Sequence, residues 1–205
     1  MAPTLLSNDL VSQAPYNARD FSQLRGLRNI PDPVIRAHLL HYENSVRRLH
    51  RARESGMTDR VDSGLKDLRL HEFYFDNLSS RPSRMSRRFE FTLRIGWGSL
   101  EAWKDEFRAL GRRDGVGWVI LHMDPVEYQL SNHWVDLHGE GHPSGFLPVL
   151  VMDVEDHAFT GMDRSAYIEA FLENVDWARV EDRHAVAENL DLRGYPGHAS
   201  RDATP

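Results

Sequence analysis

The sequence contains no cysteine. Disulfides, thiolate metal sites and a cysteine nucleophile are therefore excluded, and any bound metal must be held by nitrogen and oxygen ligands. It also has no run of eighteen apolar residues, so no transmembrane helix is expected. The N-terminal stretch MAPTLLSNDLVSQAPYNARD lacks a basic region followed by an apolar core. It does not read as a secretory signal, and a cytoplasmic location is the expectation. There is no excess of positive charge; the formal net charge is −6. Neither nucleic acid nor a membrane surface is expected as a partner. No internal repeat is visible. What remains is 205 residues, 40% hydrophobic and 27% charged, enough for one good core or two small domains sharing an interface. Eleven histidines is a high count for that length.

Residues 1–30 carry little periodicity and read as an extended arm. Asp32 is a plausible N-cap and Pro33 a first helical residue for a long helix ending near Arg53. Its apolar face is Ile35, Leu39, Tyr42, Val46 and Leu49. A polar connection from Glu54 to Ser63 leads to a second helix, about Leu65 to Leu78. The basic stretch SSRPSRMSRR, residues 79–88, reads as a loop and as the boundary between two units, 1–84 and 85–205. Ser99 caps a third helix carrying Leu100, Trp103, Phe107 and Leu110. Two strand-like runs, 117–123 and 128–135, flank the turn signal Asp124-Pro125 and form a hairpin. A loop rich in glycine, histidine and proline, His138 to Ser144, precedes a third strand, Pro148 to Asp153. Asp163 caps a helix running to about Asn174, and a last helical piece spans Trp177 to Leu190. Residues 191–205 read as a polar tail. Helices, a small antiparallel sheet, then helices make an α+β fold rather than a βαβ alternation.

A lone histidine on an apolar helix face is more often a core residue than a ligand. Several on separate elements change that balance. With Ile35 at zero and about 100° per residue, Leu39, Tyr42, Val46 and Leu49 fall within about 40°, His38 about 60° away and His41 about 120° away. His38 is thus the better buried candidate. His71 sits mid-stripe on the second helix, three after Leu68 and four before Phe75. Asp153 ends an otherwise apolar run, and His157 lies four residues on. A carboxylate and an imidazole at that spacing can converge on one ion, and with neutral imidazoles they suit iron, manganese or zinc. A competing pair, His138 and His142 in HGEGH, sits among glycines that make the loop expensive to order. A solvated loop or a subunit contact is the expectation there.

The stretch Asp153-Val154-Glu155-Asp156-His157-Ala158-Phe159 resembles the Asp-x-Trp-Glu-His-Ala-Tyr/Phe motif of the iron/manganese superoxide dismutase family. Trp97-Gly98-Ser99-Leu100-Glu101-Ala102-Trp103-Lys104, Gly115-Val116-Gly117-Trp118-Val119, Leu70-His71-Glu72-Phe73-Tyr74 and Asn174-Val175-Asp176-Trp177 match in the same order, so the resemblance runs from about residue 22 to 184. It implies an N-terminal antiparallel helical hairpin and a C-terminal domain with a three-stranded antiparallel sheet flanked by helices. It also implies one iron or manganese ion per chain, held by His38, His71, Asp153 and His157. The implied reaction is disproportionation of superoxide to oxygen and hydrogen peroxide, in a homodimer or larger homo-oligomer. His133 takes the place of the family's hydrogen-bond donor to the metal-bound solvent. Tyr42, one turn after His38, stands in for a gateway residue.

The chain also departs from the pattern. Glu155 replaces an aromatic residue and must be paired, turned to solvent or protonated, because a buried unpaired charge costs several kcal/mol. Asp156 replaces a glutamate that crosses the family's dimer to the partner's ligand histidine, and is shorter by about one methylene, ~1.5 Å. With a net charge of −6, steering of an anion falls to local arginines such as Arg84, Arg87 and Arg164. The acidic substitutions keep open a second reading, a dismutase-like fold with a vestigial site acting in binding or assembly. A hydrolase using a metal-bound water ranks behind both.

Overall fold

The computed structural model describes residues 16–190. The first half of the expected arm and the polar tail at 191–205 lie outside those residues. Helix α1 spans Asp32–Glu54 and α2 spans Thr58–Asp76. They pack against each other along a stripe that includes Ile35, Tyr42, Leu49, Leu68 and Phe75, all buried. The expected cap is different. Pro31 holds the N-cap position, while Asp32 is the first helical residue and its Oδ1 accepts from Gly26 N at 2.7 Å. That bond ties the arm to the helix start. The α2 helix begins several residues before the apolar stripe does, because its first turns are solvated.

A helix not read from the sequence, α3, spans Arg87–Trp97. Only Phe89 and Leu93 on it are buried, one pair at i, i+4, so its periodic signal is short. Ser86 caps it, accepting from Phe89 N at 3.1 Å. Helix α4, Leu100–Gly111, is capped by Ser99, whose hydroxyl accepts from Ala102 N at 3.0 Å. Strands β1 (Gly117–Met123), β2 (Leu130–Asp136) and β3 (Leu147–Asp153) form an antiparallel sheet of order β2-β1-β3. Helix α5, Arg164–Glu173, is capped by Asp163, and α6, Trp177–Glu188, ends the described chain. No helix among the described residues is long and apolar enough to cross a membrane.

Strand parity decides what each face of the sheet meets. In β1, Trp118, Ile120 and His122 share one face, opposite Val135, His133 and Ser131 of β2. Trp118 packs edge-on against His71, so this is the face toward α2. The other face meets α4, where Trp103 Nε1 donates to Asn132 Oδ1 at 3.1 Å. Strand β3 is an edge, and Asn77 at the end of α2 covers part of it. Its Nδ2 donates to Val151 O at 2.6 Å, and its carbonyl accepts from Asp176 N at 2.7 Å. The arm is pinned across the molecule: Asn174 bonds both Arg28 N, at 2.8 Å, and Arg28 O, at 2.7 Å.

Asn77 is fully buried, so truncating it takes a donor from the Val151 carbonyl and removes one of the partners of the Arg183 guanidinium. Asn77→Ala is expected to cost about 1–3 kcal/mol. At ~2–4 °C per kcal/mol for a chain of this size, scanning calorimetry should record a clearly lower Tm. An unchanged Tm would show that β3 does not depend on this bond.

Candidate metal centre

Four elements deliver four side chains to one place. His38 comes from α1, His71 from α2, Asp153 from the end of β3, and His157 from a short 3-10 helix, Asp156–Phe159. His38, His71 and Asp153 are wholly buried. One ligand atom from each of the four lies within 4.8 Å of the others. Asp153 Oδ2 is 3.1 Å from His38 Nε2, 3.1 Å from His157 Nε2 and 3.6 Å from His71 Nε2. His71 Nε2 and His157 Nε2 are 3.3 Å apart.

Local chemistry aims these atoms. Asp153 Oδ1 accepts from Glu155 N at 2.8 Å, which leaves Oδ2 to face the imidazoles. Tyr167 holds the strand end by donating to Asp153 O at 2.8 Å. His71 Nδ1 meets Asp67 O at 2.9 Å and Asp67 Oδ1 at 3.3 Å, which turns Nε2 inward. Tyr74 and Phe75 flank the His38 ring at 4.7 and 4.8 Å between centroids. Buried polar atoms are normally paired, yet His38 Nε2 and Asp153 Oδ2 make no aligned hydrogen bond despite their closeness. Two ligands each ~2.1 Å from one ion and ~90–120° apart lie ~3.0–3.6 Å from each other. The separations of Asp153 Oδ2 from the three imidazole nitrogens, and of His71 Nε2 from His157 Nε2, fall in that range.

Charge follows the same arrangement. Burial pushes the Asp153 carboxyl up, but the neighbouring His157 and His38 rings outweigh it and hold Asp153 well below the usual carboxylate range. Burial lowers His38 to about 4, against the pull of Asp153. Burial would lower His71 too, but Asp67 and the charge of Asp153 prevail and raise it to about 9. Burial, then the charge of Asp153, raises Glu155 to about 7.

The remaining expected residues fall elsewhere. His41 stacks on the His157 ring at 3.9 Å and 3°, beside the four rather than among them. Tyr42 directs its hydroxyl to Glu72 Oε1 at 3.0 Å and accepts from Arg19 N at 3.1 Å, away from the four converging atoms. His133 is displaced by strand register. Trp118, opposite Asp153, marks the cluster's end of the sheet, whereas His133 lies opposite Ile120 with its ring against His122 and Phe146. A cleft of about 760 Å³ opens beside the cluster, lined by His41, Arg48, Arg51, Arg60, Leu137 and Glu155 among others. Leu137 follows β2, so from this part of the chain the loop, not the strand, borders the cleft. Arg164 is spent on Gly111 O and Gly115 O, and Arg84 lines a different surface. Asp67 was also missed, although a carboxylate four residues before a histidine on one helix is a readable signal.

Residues 86–183 match the model of the iron/manganese superoxide dismutases, C-terminal domain. That match places the C-terminal part of the chain in the iron/manganese superoxide dismutase family. It is 35% identical to a superoxide dismutase [Fe] of Cupriavidus metallidurans, over 58% of this chain and 61% of that protein. It is 41% identical to a superoxide dismutase [Mn] of Haloarcula marismortui, over 43% of this chain and 44% of that one. Against a superoxide dismutase [Mn/Fe] of Aeropyrum pernix it is 35% identical over 45% of each. Each of these matches spans less than two thirds of the relative's length.

A bound metal must displace the proton that His71 holds up to about pH 9. Metal affinity is expected to fall as pH drops below about 9, by roughly tenfold per unit for each proton released. In the metal-free protein the sign reverses: His71 stabilises the fold fully below about 6.5 and loses that contribution as pH rises through about 9. Calorimetric titration with manganese(II), in buffers of different ionisation enthalpy near pH ~8, should record proton release. Binding without release would contradict the raised His71.

Proposed function

We propose that this chain is a superoxide dismutase that holds one iron or manganese ion with His38, His71, Asp153 and His157. The observation that carries the reading is the convergence of these four ligand atoms within 4.8 Å in a largely buried site. Such an ion, when bound, supplies a one-electron couple, so that two superoxide anions and two protons yield oxygen and hydrogen peroxide.

The chain's own residues supply the rest. Asp67 orients His71, while Trp118, Tyr74 and Phe75 keep bulk water from the buried side. Arg48, Arg51 and Arg60 put positive charge around the cleft of a chain whose formal net charge is −6. A focused local field of that sign attracts a small anion whatever the overall charge. Glu155 reaches the cleft, and its Oε2 is 3.5 Å from His157 Nδ1. It is therefore both paired and partly protonated near neutrality, and it steadies the one member of the four that is partly exposed. A complete, oriented ligand set favours an active site over a vestigial one.

The reading extends to a homodimer joined on the cleft side. Met57 and Leu137, both exposed and apolar, lie on the cleft wall, and Asp156 is exposed beside it. Sedimentation equilibrium should return about twice the chain mass of 23.6 kDa; a monomer at micromolar concentration would remove the dimer from the reading.

Metal analysis and a superoxide-loss assay test the activity. The purified protein should carry stoichiometric iron or manganese and accelerate superoxide loss, less so as salt is raised. His157→Ala should lose metal and activity together. A wild-type protein that takes up neither metal, or that binds one without dismutation, ends the proposal.

A further inference from the structure

A second group of histidines lies on the same sheet face, at the other end of β1. His122 is the one polar residue in the run Val119–Met123, every member of which is fully buried. Neither of its ring nitrogens makes an aligned hydrogen bond, although the Ile120 backbone lies close enough to favour its protonated form. Burying an imidazole without such a bond is costly, and the dismutase site does not account for this one. The β1–β3 register shifts between Leu121 and His122, which pairs His122 with Pro148. Irregularities of this kind re-aim side chains.

Two more imidazoles stand beside it, although the ligand atoms of the three are not drawn together as those of the first cluster are. His133 sits diagonally across β2, 5.2 Å from His122 between ring centroids, and its Nε2 meets Ser131 Oγ at 2.8 Å. That contact fixes the ring and leaves Nδ1 free. His142 arrives from the loop between β2 and β3, 4.7 Å from His122. The glycines of that loop have a positional purpose. Gly141 has φ +87°, and a Cβ there would stand 2.1 Å from Trp134 O. The loop can lie against β2, and so carry His142 back over His122, only with glycine at that point. The loop expected to be solvated or in a subunit contact is thus packed against β2 at this point.

We propose that His122, His133 and His142 form a second metal site, which takes a divalent ion of the zinc(II) class. Three imidazoles without a carboxylate suit a borderline cation rather than a hard one, and a fourth position remains for water. Burial, then the neighbouring His142 and His133, holds His122 down at about 3, so it is neutral as a ligand must be. The trio is more open than the first cluster, and closure falls to His142, its exposed member.

The test is a zinc chloride titration of the full chain already loaded with iron or manganese, followed by a chromogenic competitor. One further equivalent of zinc should bind while the first metal stays in place. His142→Ala, an exposed change that leaves the core intact, should weaken that binding by at least about 100-fold; His138→Ala should not change it. Nitrogen-15 histidine spectra should show the His122 and His133 ring resonances shifting on zinc addition. Equal uptake by wild type and His142→Ala overturns the proposal. So does loss of uptake in His138→Ala, which would assign the zinc to the loop pair. Zinc binding that leaves the His122 resonances unmoved overturns it as well.

Discussion

The structure depends on one buried carboxylate. Asp153 ends β3 inside the molecule, and its Oδ2 faces three imidazole nitrogens at 3.1, 3.1 and 3.6 Å. An isolated charge there would be untenable, and it would neutralise itself by taking a proton. What keeps it ionised is the positive end of everything that converges on it. The elements around the site meet this demand. The α1–α2 pair presents His38 and His71, Tyr167 fixes the strand end, and Asn77 covers β3 beside it. The same point joins the helical pair to the sheet, so the site and the fold are held by overlapping contacts.

Much of this was legible because period and burial agree. The α1 stripe separated His38 from His41 by rotation alone, and the structure keeps them apart: one faces Asp153, the other stacks on His157. Asp153 stood out as a charge continuing an apolar strand without alternation. What escaped depended on distances that spacing does not encode. The exposed face of α3 masks its two buried residues. His133 shares a strand face with the cluster but sits too far along it, a matter of register rather than sequence pattern. Tyr42 is on the right face of α1, yet Glu72 takes its hydroxyl.

The arginines teach a related lesson. The sequence pointed to steering by Arg84, Arg87 and Arg164, but folding places Arg48, Arg51 and Arg60 on the cleft instead. Arg48 and Arg51 sit on α1 and Arg60 on α2, the helices that carry His38 and His71. Positive charge and the proposed metal ligands His38 and His71 are thus delivered by the same two helices. A field so local owes nothing to the sign of the whole chain.

Glu155 and Asp156 are best understood as a pair. The family pattern has an aromatic residue at the first position and a carboxylate at the second, directed outward to another subunit. Here the longer carboxylate stands one residue earlier, on the extended residue that precedes the 3-10 helix. That single step turns it inward: Glu155 Oε2 lies 3.5 Å from His157 Nδ1 of its own chain, while Asp156 is exposed. The outer nitrogen of the ligand therefore has a carboxylate within one polypeptide. Its price is the loss of an aromatic wall, and burial lifts Glu155 to about 7, so its charge is only partly present near neutrality. His157 is the least buried of the four proposed ligands, and it has the most to gain from a support that assembly cannot remove.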